Sequence, residues 1–196
     1  MDELVSPPMA SVVSRAAYFD TGLDVLSDLG YGGLKLAEVC NRLGVTTGSF
    51  YHYFPNWAEY TKELVAHWMQ DRTVLLIDAV RAEPDPRRRI DMLVQIGLGL
   101  PHGAEAAIRV WSAVDPDVHA VQRTVDQQRY EIMYESALQI VQDERQAHVF
   151  AAWAVYLLVG YEQATLPRDA ATLEWIAAQM IAFLDSGRFA SVSDGE

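Results

Sequence analysis

One stretch constrains this chain more than any other: Leu36-Ala37-Glu38-Val39-Cys40-Asn41-Arg42-Leu43-Gly44-Val45-Thr46-Thr47-Gly48-Ser49-Phe50-Tyr51-His52-Tyr53-Phe54. It reads as a short amphipathic helix, a tight turn, and a second short helix carrying hydroxyls, aromatics and a histidine. Gly44 stands where a helix needs a left-handed C-terminal residue. Thr46 then offers a hydroxyl to cap the next helix. This layout is a helix-turn-helix, a device that lays one helix in the major groove of duplex DNA.

The flanks are helical too. Val12, Ala16, Phe19, Leu23 and Leu26 follow the helical period over about residues 11–29, and Gly30 stops that helix. Pro55-Asn56 separates the motif from a fourth helix over about 57–82, where Asn56 and Glu59 fit a capping box. Further apolar-periodic segments follow at about 87–98, 104–114, 117–141, 145–165 and 170–185, punctuated by Pro and Gly, and the remaining tail is polar. No period-2 strand, glycine-rich phosphate loop or internal repeat is found. The fold class expected is all-α.

With 51% hydrophobic and 21% charged residues in 196, the composition is globular. The longest apolar run, Val149 to Tyr161, is too short to span a bilayer, and no basic leader opens the chain. A lone cysteine, Cys40, excludes an internal disulfide and fits a reducing cytoplasm; it is expected as a packing thiol rather than a redox sensor. The net charge of −12 is unfavourable for a nucleic-acid partner, since DNA repels a net anion at long range. Up to Phe54 only Arg15, Lys35 and Arg42 oppose Asp2, Glu3, Asp20, Asp24, Asp28 and Glu38.

Residues 36–40 and 43–54, at this distance from a helix ending in Leu29-Gly30-Tyr31-Gly32, resemble the TetR family of bacterial transcriptional regulators. The motif covers roughly residues 11–65, and Ala107-Ile108-Arg109-Val110-Trp111 before Asp115-Pro116 adds to the likeness. The resemblance implies an N-terminal three-helix DNA-binding domain over residues 1–55, and a C-terminal effector-binding and dimerisation domain over 56–196, about nine helices in all. It assigns Thr47, Gly48 and His52 to base edges, and Ser49, Tyr51 and Tyr53 to the phosphate backbone. Thr46 and Lys35 complete the expected DNA surface. Ala37 stands where some members place a base-reading arginine, and Trp57 where many have a phosphate-gripping lysine, so a shallow salt dependence is expected.

The eighth segment is apolar nearly all round, and the ninth carries one apolar stripe. Pairing both with a second copy is an economical way to cover them. The homodimer contacts expected are Phe150, Trp153, Leu157, Tyr161, Leu173, Ile176, Met180 and Leu184. An ordinary buried core helix is the alternative. Trp68, Trp111, Tyr130 and Tyr134 are the candidate lining of a pocket for a small, mostly apolar effector; at helical spacing the same aromatics also fit plain core.

Catalytic chemistry is not indicated. The five histidines are scattered, no metal-ligand spacing occurs, and Asp115, Asp117 and His119 fit helix capping better than metal binding. No cofactor, catalytic residue or membrane partner is expected. The function expected is a cytoplasmic, ligand-responsive repressor binding a palindromic operator as a dimer. The alternative is a helix-turn-helix protein that has lost DNA binding and acts through a small molecule or protein partner.

Overall fold

The computed structural model describes residues 13–191, and every regular element in them is helical. Ser11 and Val12, expected in the first helix, lie outside the described residues. Helix α1 (Arg15–Gly33) starts at Ser14, whose hydroxyl accepts the Ala17 amide. Gly30, at φ +68°, breaks its regular path as anticipated. Helix α2 (Leu36–Leu43) ends on Gly44, whose φ of +66° suits a residue without Cβ. The short α3 (Thr47–Phe50) is capped by Thr46, which accepts the Ser49 amide.

Helix α4 (Trp57–Met69) opens with Asn56 accepting the Glu59 amide at 2.9 Å. It runs on through a π-helical turn at Gln70–Val74 into α5 (Leu75–Arg81). The rod is thus as long as the sequence predicts but not uniformly α-helical. Trp68 and Thr73 are both buried although five residues apart. An α register would carry residue 73 away from the face holding Trp68, and the wider turn keeps both inside.

Helices α6 (Pro86–Leu98), α7 (His102–Ser112), α8 (Pro116–Val141), α9 (Glu144–Gln163) and α10 (Ala170–Asp185) complete the fold. Counting the α4–α5 rod once gives nine helices among the described residues. Asp85, Asp115, Asp143 and Asp169 cap α6, α8, α9 and α10, accepting first-turn amides. Part of the acidity of the chain is therefore spent holding helix starts.

Two apolar cores organise the packing. The first is built from aromatic side chains of α1, α3 and α4 and runs without a break into Ala104, Ile108 and Trp111 of α7 and Val118 and Val125 of α8. Helix α1 lies along α7 so closely that a Cβ on Gly103 would stand 2.8 Å from the Ser27 carbonyl oxygen, and Tyr31 stacks on Trp111 with ring centroids 5.0 Å apart. The second core joins α6, α8, α9 and α10 around Ile90, Phe150, Met180 and Leu184. The tail, read from sequence as polar, adds a 3₁₀ turn at Arg188–Ser191 that buries Phe189 edge-on against Phe150. Arg87 at the start of α6 pairs with Asp185 at the end of α10 and with Asp91, and the pairing holds the Asp185 carboxyl below its usual range.

Candidate functional site

The outer side of α3 rests on an aromatic seat. Phe50 and Phe54 are buried against Tyr18 and Tyr60, with centroid separations of 5.0–5.8 Å. The Tyr60 hydroxyl donates to the Tyr18 carbonyl at 2.8 Å, and burial pushes its pKa well above the usual phenol range. Each such ring contributes about 1.5–3 kcal/mol by leaving water. The four-residue helix is too short to persist alone and owes its position to this packing.

Above the seat, Thr46, Thr47, Gly48, Tyr51 and His52 are exposed, with Tyr51 at 55%. Ser49 is half-buried, and Lys35 is exposed at the start of α2. Gly48 is not demanded by the interior: a Cβ there would meet only the Thr46 hydroxyl, at 3.6 Å. Tyr53 departs from expectation. Its ring lies 5.3 Å from that of Tyr18 and its hydroxyl donates to the Val13 carbonyl, so it serves as a strut between α3 and the approach to α1. An aromatic two residues from an exposed tyrosine looks equivalent in sequence, and only the docking of α1 distinguishes them.

The positive charges of this surface are largely matched. Arg15 donates to the Tyr53 carbonyl at 2.7 Å, pairs with Glu63 and covers the Phe54 ring. Arg42 pairs with Asp28 at 2.7 Å and Glu38 at 2.9 Å, and both carboxylates raise its pKa. Cys40 is buried, and burial raises its thiol pKa, as a packing residue requires.

The residues expected at a subunit interface are placed differently. Phe150, Leu173, Met180 and Leu184 are buried within the protomer, so they cannot meet a second copy. Trp153, Leu157, Tyr161 and Ile176 are half-buried. The correction has a simple cause: α6, α8 and the Phe189 turn already cover the apolar stripe. The outward faces of α9 and α10 instead expose Tyr156 at 73% and Trp175 at 65%.

The candidate pocket aromatics are also placed elsewhere. Trp68 is fully buried and its indole N–H donates to Glu105. Trp111 is buried under Tyr31. Tyr130 and Tyr134 stack beside an open surface groove with His148. A cavity of about 110 Å³ lies instead between α5, α6, α8, α9 and α10, lined by Leu76, Leu93, Ile132, Met133, Val155, Leu158 and Met180 among others. Arg72 and Thr73 of the π turn, Arg109 of α7, and Asp126 and Arg129 of α8 form its polar part. Leu157, Leu173 and Met180, expected at a subunit interface, face this cavity. The sequence reading missed Arg72 and Thr73. The five-residue step between buried positions of the fourth helix was the signal that could have found them.

Behind the polar part sits a buried ionic network. Arg109 makes a bidentate pair with Asp126 at 2.7 and 2.9 Å, and Arg129 pairs with Glu105 at 2.9 Å. Glu162 meets His102 at 3.3 Å, and burial raises its pKa, with His102 opposing.

Residues 19–59 match the family model described as bacterial regulatory proteins, tetR family. The head is thus of the tetR type. The TetR-like architecture recurs in a transcriptional regulator from Rhodococcus sp. Rha1, with a TM-score of 0.71 at 19% identity over 89% of this chain and 97% of that one. A TetR transcription regulator from Haloarcula marismortui gives 0.71 at 15% identity, over 88% and 96% of the two chains. The regulator FadR from Bacillus subtilis, solved with stearoyl-CoA, gives 0.64 at 12%, over 89% and 99%. At such identities the likeness is one of fold. No curated protein matches the sequence. Among the described residues, no helix is long and apolar enough to cross a membrane.

Proposed function

We propose that this chain is a ligand-responsive repressor that binds a palindromic DNA operator as a homodimer. The observation that carries the reading is the α3 surface: Thr47, Gly48, Tyr51 and His52 stand exposed together on a rigid aromatic seat, with a glycine the interior does not need. Residues 1–55 act as the DNA-binding domain and 56–196 as the effector and dimer domain. Thr47, Gly48 and His52 read base edges, while Ser49, Tyr51 and Lys35 meet phosphates. The cavity takes the effector, a reading supported by FadR, of like fold, having been solved in complex with stearoyl-CoA. The second subunit docks on the outward face of α9 and α10, where Tyr156 and Trp175 are the large exposed apolar groups. No catalytic role is assigned, and the protein acts in the cytoplasm, beside its DNA.

The test is fluorescence anisotropy against DNA flanking the gene of this protein. Specific binding that Tyr51→Ala abolishes, with the dimer intact, supports the reading. Absence of specific binding by the folded dimer overturns it. Trp175→Glu should give a monomer by sedimentation. The second reading, a helix-turn-helix protein without DNA, draws on the net charge of −12 and on the carboxylates that occupy Arg15 and Arg42; the same titration decides between them.

A further inference from the structure

The π turn sets two consecutive polar side chains, Arg72 and Thr73, on the wall of the cavity. Successive residues of an α-helix diverge, and turns of this kind are frequent at functional sites. The charges around them can be counted. Arg109 is matched by Asp126, and Arg129 by Glu105. Arg72 is exposed and has no hydrogen-bond or ion-pair partner among the described residues, so it is the one charge on the cavity wall that no carboxylate matches. Thr73 is 1% exposed; its hydroxyl oxygen accepts from Arg129 at 3.4 Å, and its proton has no acceptor among the described residues. The rest of the wall is apolar. A buried hydroxyl with an unspent donor, beside an exposed guanidinium at the rim that no carboxylate matches, suits an acceptor carrying negative charge.

We propose that the effector is an amphipathic monocarboxylic acid, its carboxylate held between the Arg72 guanidinium and the Thr73 hydroxyl and its apolar body in the cavity. This rests on the cavity being the effector site and adds the chemistry of the ligand. The volume sets the size of the body: a cavity of about 150 Å³ holds a benzene-sized molecule, so about 110 Å³ suits a short, slender alkyl chain. Two contacts from adjacent residues of one turn also set the ligand against the rod that carries the head, so occupancy acts on the backbone joining α4 to α5.

Calorimetry on the whole chain, without DNA, tests the proposal with hexanoate, 1-hexanol and hexylamine at one pH and salt concentration. Hexanoate should bind at least about tenfold tighter than 1-hexanol, the ratio expected of charge-assisted hydrogen bonds. Arg72→Gln and Thr73→Val should each reduce hexanoate affinity toward that of the alcohol while leaving alcohol affinity unchanged. Equal affinity for acid and alcohol, preference for the amine, hexanoate affinity unaltered by Arg72→Gln, or no binding along the series from butanoate to decanoate would each overturn it. DNA binding is measured separately on the ligand-free dimer, so loss of the acid preference leaves the operator reading standing, and the reverse holds too.

Discussion

The indole N–H of Trp68 donates to the Glu105 carboxylate at 2.8 Å, with both side chains out of water. Glu105 is held from its other side by Arg129, whose second nitrogen reaches Thr73. One buried carboxylate thus joins α4, α7, α8 and the π turn. Trp68→Phe keeps the ring and removes the donor. Leaving a buried charged acceptor short of one partner should cost about 1–3 kcal/mol, read as a lower urea midpoint. An unchanged midpoint would show that Arg129 alone satisfies Glu105.

Tyr51 and Tyr53 should separate cleanly. Tyr53→Phe removes the bond to the Val13 carbonyl and should lower stability by about 0.5–1.5 kcal/mol. Tyr51→Phe touches an exposed group and should leave the melting temperature unchanged while weakening binding to operator DNA. Parallel melting and anisotropy measurements check both.

Gly48→Ala makes a sharper version of the same test. The interior has room for the methyl group, and a glycine removed from a helix favours folding by about 0.4–1 kcal/mol. Stability should hold or rise while DNA affinity falls. Unaltered DNA affinity would mean that no backbone approaches DNA there.

Few free cations at the head predict a weak response to salt. With Arg15 and Arg42 matched by carboxylates, the slope of log affinity against log salt should be clearly shallower than about −8. Titrations between low and moderate salt give the slope directly, and a value of about −8 or steeper would show those pairs opening on DNA.

Stability should decline as pH rises because of Glu162. Burial raises its folded-state pKa above the unfolded value, so the folded chain binds the extra proton and stability falls as pH climbs from the ordinary carboxylate range through the raised value. Glu162→Gln should flatten that part of the profile, measured by denaturant unfolding across pH. Asp185 works oppositely: Arg87 lowers its pKa, so its contribution is present above the ordinary carboxylate range and is lost as pH falls through the lowered value.

The sequence carried the helices, their caps and the motif because those depend on neighbours within one turn. Gly44, Thr46 and Asn56 do what their chemistry indicates. Residues whose role depends on a distant partner were harder to read. Phe150, Met180 and Leu184 form an apolar pattern that says they are covered, not by what, and α6, α8 and Phe189 had already claimed them, while Leu173 faces the cavity. Trp68 and Trp111 failed as pocket walls for the same reason, since Glu105 and Tyr31 hold them from elsewhere in the chain.

Helix α10 presents Leu173, Ala177 and Met180 to the cavity and Trp175 to the outside. A guest that displaces the inner three shifts the same backbone that carries the outer indole. On the proposed reading, self-association through that surface and ligand occupancy become reciprocal equilibria. The apparent affinity for a small molecule will drift with protein concentration, and dilution alone will change how much of it the solution takes up.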